Sequence, residues 1–498
     1  MSAKKQLFSV ATISVIDKCI KLGFLAVLSR LLTPADLGAV AAALLVVGFA
    51  ELFSNAGLSA CVVQYKTLSG RDIRTATTLS FLMGLLLASV LLISAPLIIH
   101  VLGIDTLSAA IPWLALILVF RGLSAISGAL LQRNLQVAKV MWIGVAAYVL
   151  GAALVSVPLA LKGYGYLSVV LALVVENFLY MIGLYIATRH SLLPLLDRDS
   201  SRRLLRKGMG FFATRTLNYF AQNLDYVIVS RMLGSSALGL YSRAYKIMEY
   251  PSIIYRNAID RVLFPLFARE QDNQVYLSKA IITGLFLTTA LSAGISAFIV
   301  ANSAEIVLFL LGNQWGETAT VLSILAIFST FRMNYMICLT YVRSRGLLRI
   351  ASIHSMVFLC LVGVFSYLGV PYGITGVGVG AGIAVLIFCL SYTVHVCHLA
   401  NIRLVQIGKI YAFGLLVFLW IYGANAAARL LLPMELTIAT LTWHGIVSGV
   451  AAMMMLHPVL RFLWRGPGIE MRDQSVVLLS KLSNRLLKRS VSVGRGSE

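Results

Sequence analysis

Apolar runs of about twenty residues recur along this chain from end to end, and that recurrence limits the fold more than any motif does. A helix rises about 1.5 Å per residue, so about 20 apolar residues cross the ~30 Å hydrocarbon core of a bilayer. Such runs fall at roughly 9–29, 37–61, 76–99, 107–130, 140–161, 165–187, 209–233, 237–265, 279–301, 316–341, 350–369, 374–397, 408–432 and 438–463. A transmembrane barrel would show alternating segments of about ten residues instead. Charged residues are 12% of the chain and hydrophobic ones 59%, where soluble domains carry roughly a quarter charged. The reading is an all-α polytopic membrane protein with about 14 transmembrane helices.

The 41 Lys and Arg outnumber the 19 Asp and Glu, for a net charge of +22. In a soluble chain that excess would point to nucleic acid, but here its placement decides otherwise. One set of alternate connections is rich in Lys and Arg, while the opposite set holds only Arg30, Lys162, Arg231 and Arg429. This asymmetry puts both termini in the cytoplasm. Lys4 and Lys5 precede the first run as in a signal peptide, yet Asp17, Lys18 and Lys21 make it too polar and too long for a cleaved segment, so it is expected to be retained. Trp113, Trp142, Trp315 and Trp464 fall near span ends, where rings anchor at the interface. The six Cys are scattered through apolar runs without a CxxC pair, and no zinc site or cofactor is expected. Neither a phosphate-binding loop of the GxxxxGK[ST] type nor an HExxH motif is present.

An internal repeat organises the runs. Residues 29–38 read SRLLTPADLG and 230–239 read SRMLGSSALG, identical at five of ten positions with an offset of 201. Phe120-Arg121 similarly matches Phe331-Arg332, and GYGYLSV at 163–169 lies opposite GITGVGV at 373–379. Six spans per half is an even number, so the halves are parallel repeats related by a pseudo-twofold axis along the membrane normal, with a path between them. The expected organisation is a six-helix lobe over 1–189, a basic cytoplasmic linker over 190–208, a second six-helix lobe over 209–400, and two further spans over 401–464. A basic amphipathic tail over 465–498 then lies on the inner leaflet.

The segment from Phe211 to Arg261 is the most charged of the apolar stretches. Arg215, Asn218, Gln222 and Asp225 are spaced 3, 4 and 3 apart, on one helical face, followed by Lys246, Glu249, Arg256 and Asp260. The repeat aligns this stripe with Ser14, Asp17, Lys18 and Lys21 of the first span. Ionisable groups in a bilayer are costly and face a bundle interior or a wet cavity. Lys18, Lys21, Arg215, Lys246 and Arg256, with Asn218 and Gln222, are the candidate anion-handling residues. Asp17, Glu51, Asp225, Glu249 and Asp260 are either coupling sites for a proton or Na⁺ or ion-pair partners that hold the lobes together. Arg243 and Arg261 suit gating or headgroup contact equally.

The run LSRLLTPADLGAVAAALLVVGFAELFSNAGLSACVVQ, the segment LLQRNLQVAK at 130–139 and the twofold arrangement resemble bacterial polysaccharide flippases of the Wzx type. These belong to the multidrug/oligosaccharidyl-lipid/polysaccharide exporter superfamily, and the likeness is nearest to exporters serving colanic acid, succinoglycan or xanthan. The resemblance implies a non-enzymatic inner-membrane carrier of lipid-linked oligosaccharide units on undecaprenyl diphosphate. It further implies alternating access, a possible proton or sodium ion, and a polysaccharide polymerase and export components as partners. A drug/cation antiporter or a peptidoglycan-precursor flippase on the same scaffold stays open, as does a membrane polymerase or ligase. The short outward connections argue against the enzyme.

Overall fold

A computed structural model describes residues 3–54, 58–65, 68–191, 193–198, 201, 212–270, 273–431 and 438–465. The described residues are helical almost throughout and contain no strand. In chain order the helices are α1 (Ala3–Leu31), α2 (Pro34–Ser54), α3 (Leu58–Gln64), α4 (Gly70–Ile93), α5 (Ala95–Leu102), α6 (Leu107–Arg133), α7 (Val137–Leu161) and α8 (Tyr166–Thr188). The second half continues with α9 (Phe212–Arg269), α10 (Gln274–Ala301), α11 (Ser303–Leu310), α12 (Gly316–Ser344), α13 (Leu348–Gly369), α14 (Gly373–Ala400), α15 (Leu404–Leu431) and α16 (Ile438–Arg465). Among the described residues, nine helical stretches are long and apolar enough to cross a membrane, one of which, 349–400, contains both α13 and α14. The charged helices α1 and α9 are not among them. This is a multi-pass membrane protein.

Local sequence explains the breaks between paired helices. Thr33 caps α2 reciprocally with Asp36: the Asp36 amide donates to the Thr33 hydroxyl at 3.2 Å and the Thr33 amide donates to the Asp36 carboxylate at 3.1 Å. Pro34 follows at the first helical position, where its missing N–H costs nothing. At the equivalent place in the second half there is no cap and no proline. Instead Gly234 (φ 89°, ψ 178°) kinks α9 in a conformation that L side chains rarely adopt. Linker residues 193–197 run along the start of α4, where the Leu195 amide donates to Thr78 at 3.0 Å and Arg74 donates to the Leu193 carbonyl at 3.0 Å.

The halves meet at a reciprocal crossing. A Cβ at Gly38 of α2 would overlap the Ser235 carbonyl of α9, and a Cβ at Gly239 of α9 would overlap the Pro34 carbonyl of α2. The two contacts exchange positions 201 residues apart, as an isologous interface does. At the same end, the Ser-Arg pair of each repeat docks on the other half. The Arg30 guanidinium donates to the Phe309 carbonyl at 2.7 Å, and the Ser29 carbonyl accepts from Gln314 and from the Trp315 indole, both at 2.7 Å. In the mirror arrangement the Ser230 hydroxyl donates to the Leu102 carbonyl at 2.6 Å, and Arg231 packs on Gly103. Trp113 and Trp142 are exposed as interfacial rings should be, but Trp315 is 0% exposed. Its indole is a fastener between the halves and not a lipid anchor, because its only donor already serves a buried carbonyl.

Candidate functional site

Two cavities lie towards the end of the bundle opposite these fasteners. The first, about 770 Å³, is lined by α1, α2, α3, α6, α7 and α8. Its walls present Asp17, Lys21, Glu51, Arg121, Glu176 and Asn177. Asp17 pairs with Lys18 at 2.8 Å and with Lys21 at 2.9 Å, one helical turn on. The Lys21 ammonium sits 5.2 Å above the ring of Tyr148. Arg121 bridges elements: it pairs with Glu51 of α2 and donates to the Asn177 side chain of α8 at 2.9 Å. Glu176, the neighbouring residue on α8, forms no ion pair among the described residues.

The second cavity, about 140 Å³, belongs to the second half. Gln222 and Arg256 of α9 line it together with Tyr335 and Arg343 of α12 and Tyr392 of α14. Gln222 also borders a smaller pocket that reaches Asp225 and Arg332. Asp225 is 3% exposed and is held by hydroxyl and amide donors: Tyr241 donates at 2.8 Å and the Tyr226 amide at 3.0 Å. Arg332, the residue that repeats Arg121, lies 4.8 Å over the Tyr245 ring. Lys246 is exposed and pairs with Glu249 at 3.4 Å, an intrahelical i,i+3 contact.

The sequence-derived candidates therefore divide. Asp17, Lys21 and Glu51 converge on the first cavity, with Lys18 beside them on Asp17. Gln222 and Arg256 converge on the second, while Asp225 points into the interior of its own half. The side chains of Arg215, Asn218 and Asp260 lie outside the described residues, as does the tail beyond residue 465. Among the described residues no group of three His, Cys, Asp or Glu is placed to hold a metal ion.

The model of a family described as "Polysaccharide biosynthesis protein" matches residues 27–320, more than half of the chain. The chain belongs to this polysaccharide biosynthesis family. The succinoglycan biosynthesis transport protein ExoT of Rhizobium meliloti is 27% identical to it over 60% of this chain and 61% of its own. The lipopolysaccharide biosynthesis protein WzxC of Escherichia coli is 27% identical over 67% of this chain and 68% of its own. The match thus spans under two thirds of the length of the first of these relatives. The likeness to Wzx-type flippases that the motifs carry is matched by these relatives, one named a succinoglycan transport protein and the other a lipopolysaccharide biosynthesis protein of the Wzx name. In fold, the chain superposes on the lipid II flippase MurJ in an inward closed conformation with a TM-score of 0.75 at 16% identity, over 92% of this chain and 99% of that one.

Seen as a member of the polysaccharide biosynthesis family, the chain has polar residues that the stripe pattern did not single out. Glu176 and Asn177 are an adjacent pair in an apolar run and Tyr392 lies in a short Ser-Tyr-Thr stretch, so no 3-4 stripe of charged residues marks them. The signal available for Glu176 was its charge at mid-span, and for Arg121 and Arg332 their shared place in the repeat.

Proposed function

We propose that this chain translocates undecaprenyl-diphosphate-linked oligosaccharide repeat units from the cytoplasmic to the periplasmic leaflet of the inner membrane. Fourteen crossings, with both termini cytoplasmic, arrange α1–α8 and α9–α14 as two lobes about a pseudo-twofold axis, and α15 and α16 are added at one side. The lobes rock between inward and outward openings. The observation that carries the reading is the pairing of a large charged cavity at one end of the bundle with hydrogen-bonded contacts between the halves at the other. A carrier needs a polar chamber to replace the water a headgroup loses, and a seal beyond it. Family membership supports the polysaccharide cargo.

Lys21, Arg256 and Gln222 serve the headgroup, together with Arg215, Lys18, Lys246 and Asn218. Asp225 is the leading coupling group, because tyrosine and amide donors hold it and no cation pairs with it among the described residues. Asp17 and Glu51 hold the cavity wall through ion pairs, and Glu249 pairs with Lys246. Deleting the gene should stop surface polysaccharide while lipid-linked repeat units accumulate facing the cytoplasm. Units that still reach the periplasm at the normal rate, in a strain without a redundant carrier, would refute the reading. Accumulation of peptidoglycan precursors instead would shift the cargo to that class.

A further inference from the structure

The two cavities differ in charge as well as size. The first sets Lys21 and Arg121 against Asp17, Glu51 and Glu176. The second carries Arg256 and Arg343 and, among the described residues, is lined by no Asp or Glu. Among the described residues neither arginine forms an ion pair. A second observation points the same way. Tyr392 lines this cavity, is 0% exposed, and its hydroxyl has no hydrogen-bond partner among the described residues. A buried donor left unpaired is costly, so a wall that keeps one beside two arginines is built for an acceptor that arrives from outside.

We propose that the 140 Å³ cavity between α9, α12 and α14 is a diphosphate subsite, and that the 770 Å³ cavity takes the sugars. The proposal rests on the lipid-linked reading above and assigns the two parts of one headgroup to different halves of the chain. The chemistry separates them. Guanidinium forks pair with phosphate oxygens in a charge-assisted way, and the Tyr392 hydroxyl and Gln222 amide supply further donors. Carboxylates repel a diphosphate but accept hydrogen bonds from sugar hydroxyls, as Glu176 and the Asn177 side chain can. Size agrees: the larger cavity falls in the range of about 300–1,000 Å³ of small-molecule sites, and the smaller suits only a compact group. Arg343 stands at the end of α12 in a run that reads as an ordinary basic connection, so only the packing of α9, α12 and α14 reveals its place.

The test is binding to the full chain in phosphatidylcholine nanodiscs, with undecaprenyl diphosphate, undecaprenyl monophosphate and inorganic pyrophosphate as separate probes. The wild type should bind undecaprenyl diphosphate more tightly than the monophosphate. Arg256→Gln and Arg343→Gln should each weaken that binding by about tenfold or more, the scale of a lost charge-assisted hydrogen bond. Tyr392→Phe should weaken it less, and Lys162→Gln at the opposite end should leave it unchanged. Arg343→Lys keeps the charge without the fork and should fall between, which keeps the test usable should the Gln variant fold poorly. Binding lost in Arg121→Gln but retained in both Arg256→Gln and Arg343→Gln would overturn the partition and leave the lipid-linked reading standing. A wild type that binds pyrophosphate but neither lipid would overturn both.

Discussion

At the scale of single residues, what distinguishes Asp225 is who holds it. Tyr241 and the Tyr226 amide donate to its carboxylate in a pocket walled by tyrosine rings, with Tyr226 and Tyr241 packed edge-on at 5.7 Å. Tyr241→Phe should therefore destabilise the protein by about 1–3 kcal/mol, the usual cost of leaving a buried acceptor unpaired, in denaturant titrations in detergent. A variant as stable as the wild type would show that the carboxylate does not depend on this donor. His190 offers a second test outside the spans. Burial beside Ser127, whose Oγ lies 2.8 Å from Nε2, pushes its imidazole below the ordinary value. The neutral ring is favoured in the folded state, so this stabilisation is full above a pH of about 6.5 and is lost as pH falls through the lowered value. The melting temperature should drop more between pH 7.5 and 5 in the wild type than in His190→Gln. The stripe of Gln222 and Asp225 was legible because helical spacing exposes it. Tyr392 was not, since a buried tyrosine is ordinary until its missing partner is seen.

At the scale of elements, the repeat motif predicted which segments correspond, and the structure gives the correspondence a physical cause. Gly38 and Gly239 are glycines because each sits against a carbonyl of the opposite helix. Gly38→Val and Gly239→Val should each reduce the yield of monodisperse protein by size-exclusion chromatography, while Gly23→Val, at an exposed site with nothing nearby, should not. The fasteners around this crossing were not legible. Their acceptors are backbone carbonyls of Leu102, Phe309 and Ser29, which every residue has and no pattern marks. Trp315→Phe removes the indole donor and leaves part of a fully buried site empty, so it should cost about 2–4 kcal/mol in denaturant titration. It should also raise labelling of single cysteines placed near residue 36 from the outer side. Unchanged labelling would mean that this contact does not hold the end closed.

At the scale of the whole molecule, composition and span length were enough to read an all-helical, multi-pass membrane protein, because apolar length is what a bilayer selects. They were not enough for the division of labour between cavities, which depends on how helices far apart in sequence converge. The first half lines a large chamber with both cations and carboxylates, and the second a small one with arginine. At the opposite end of the bundle each half makes contacts to the other. The most direct test uses purified protein in sealed vesicles with a lipid-linked oligosaccharide whose sugars can be trimmed by an external glycosidase. Vesicles holding the protein should let nearly all of the lipid become trimmed, at a rate that rises with protein content and falls in Arg256→Gln. A fraction trimmed no larger or faster than in protein-free vesicles would contradict the account.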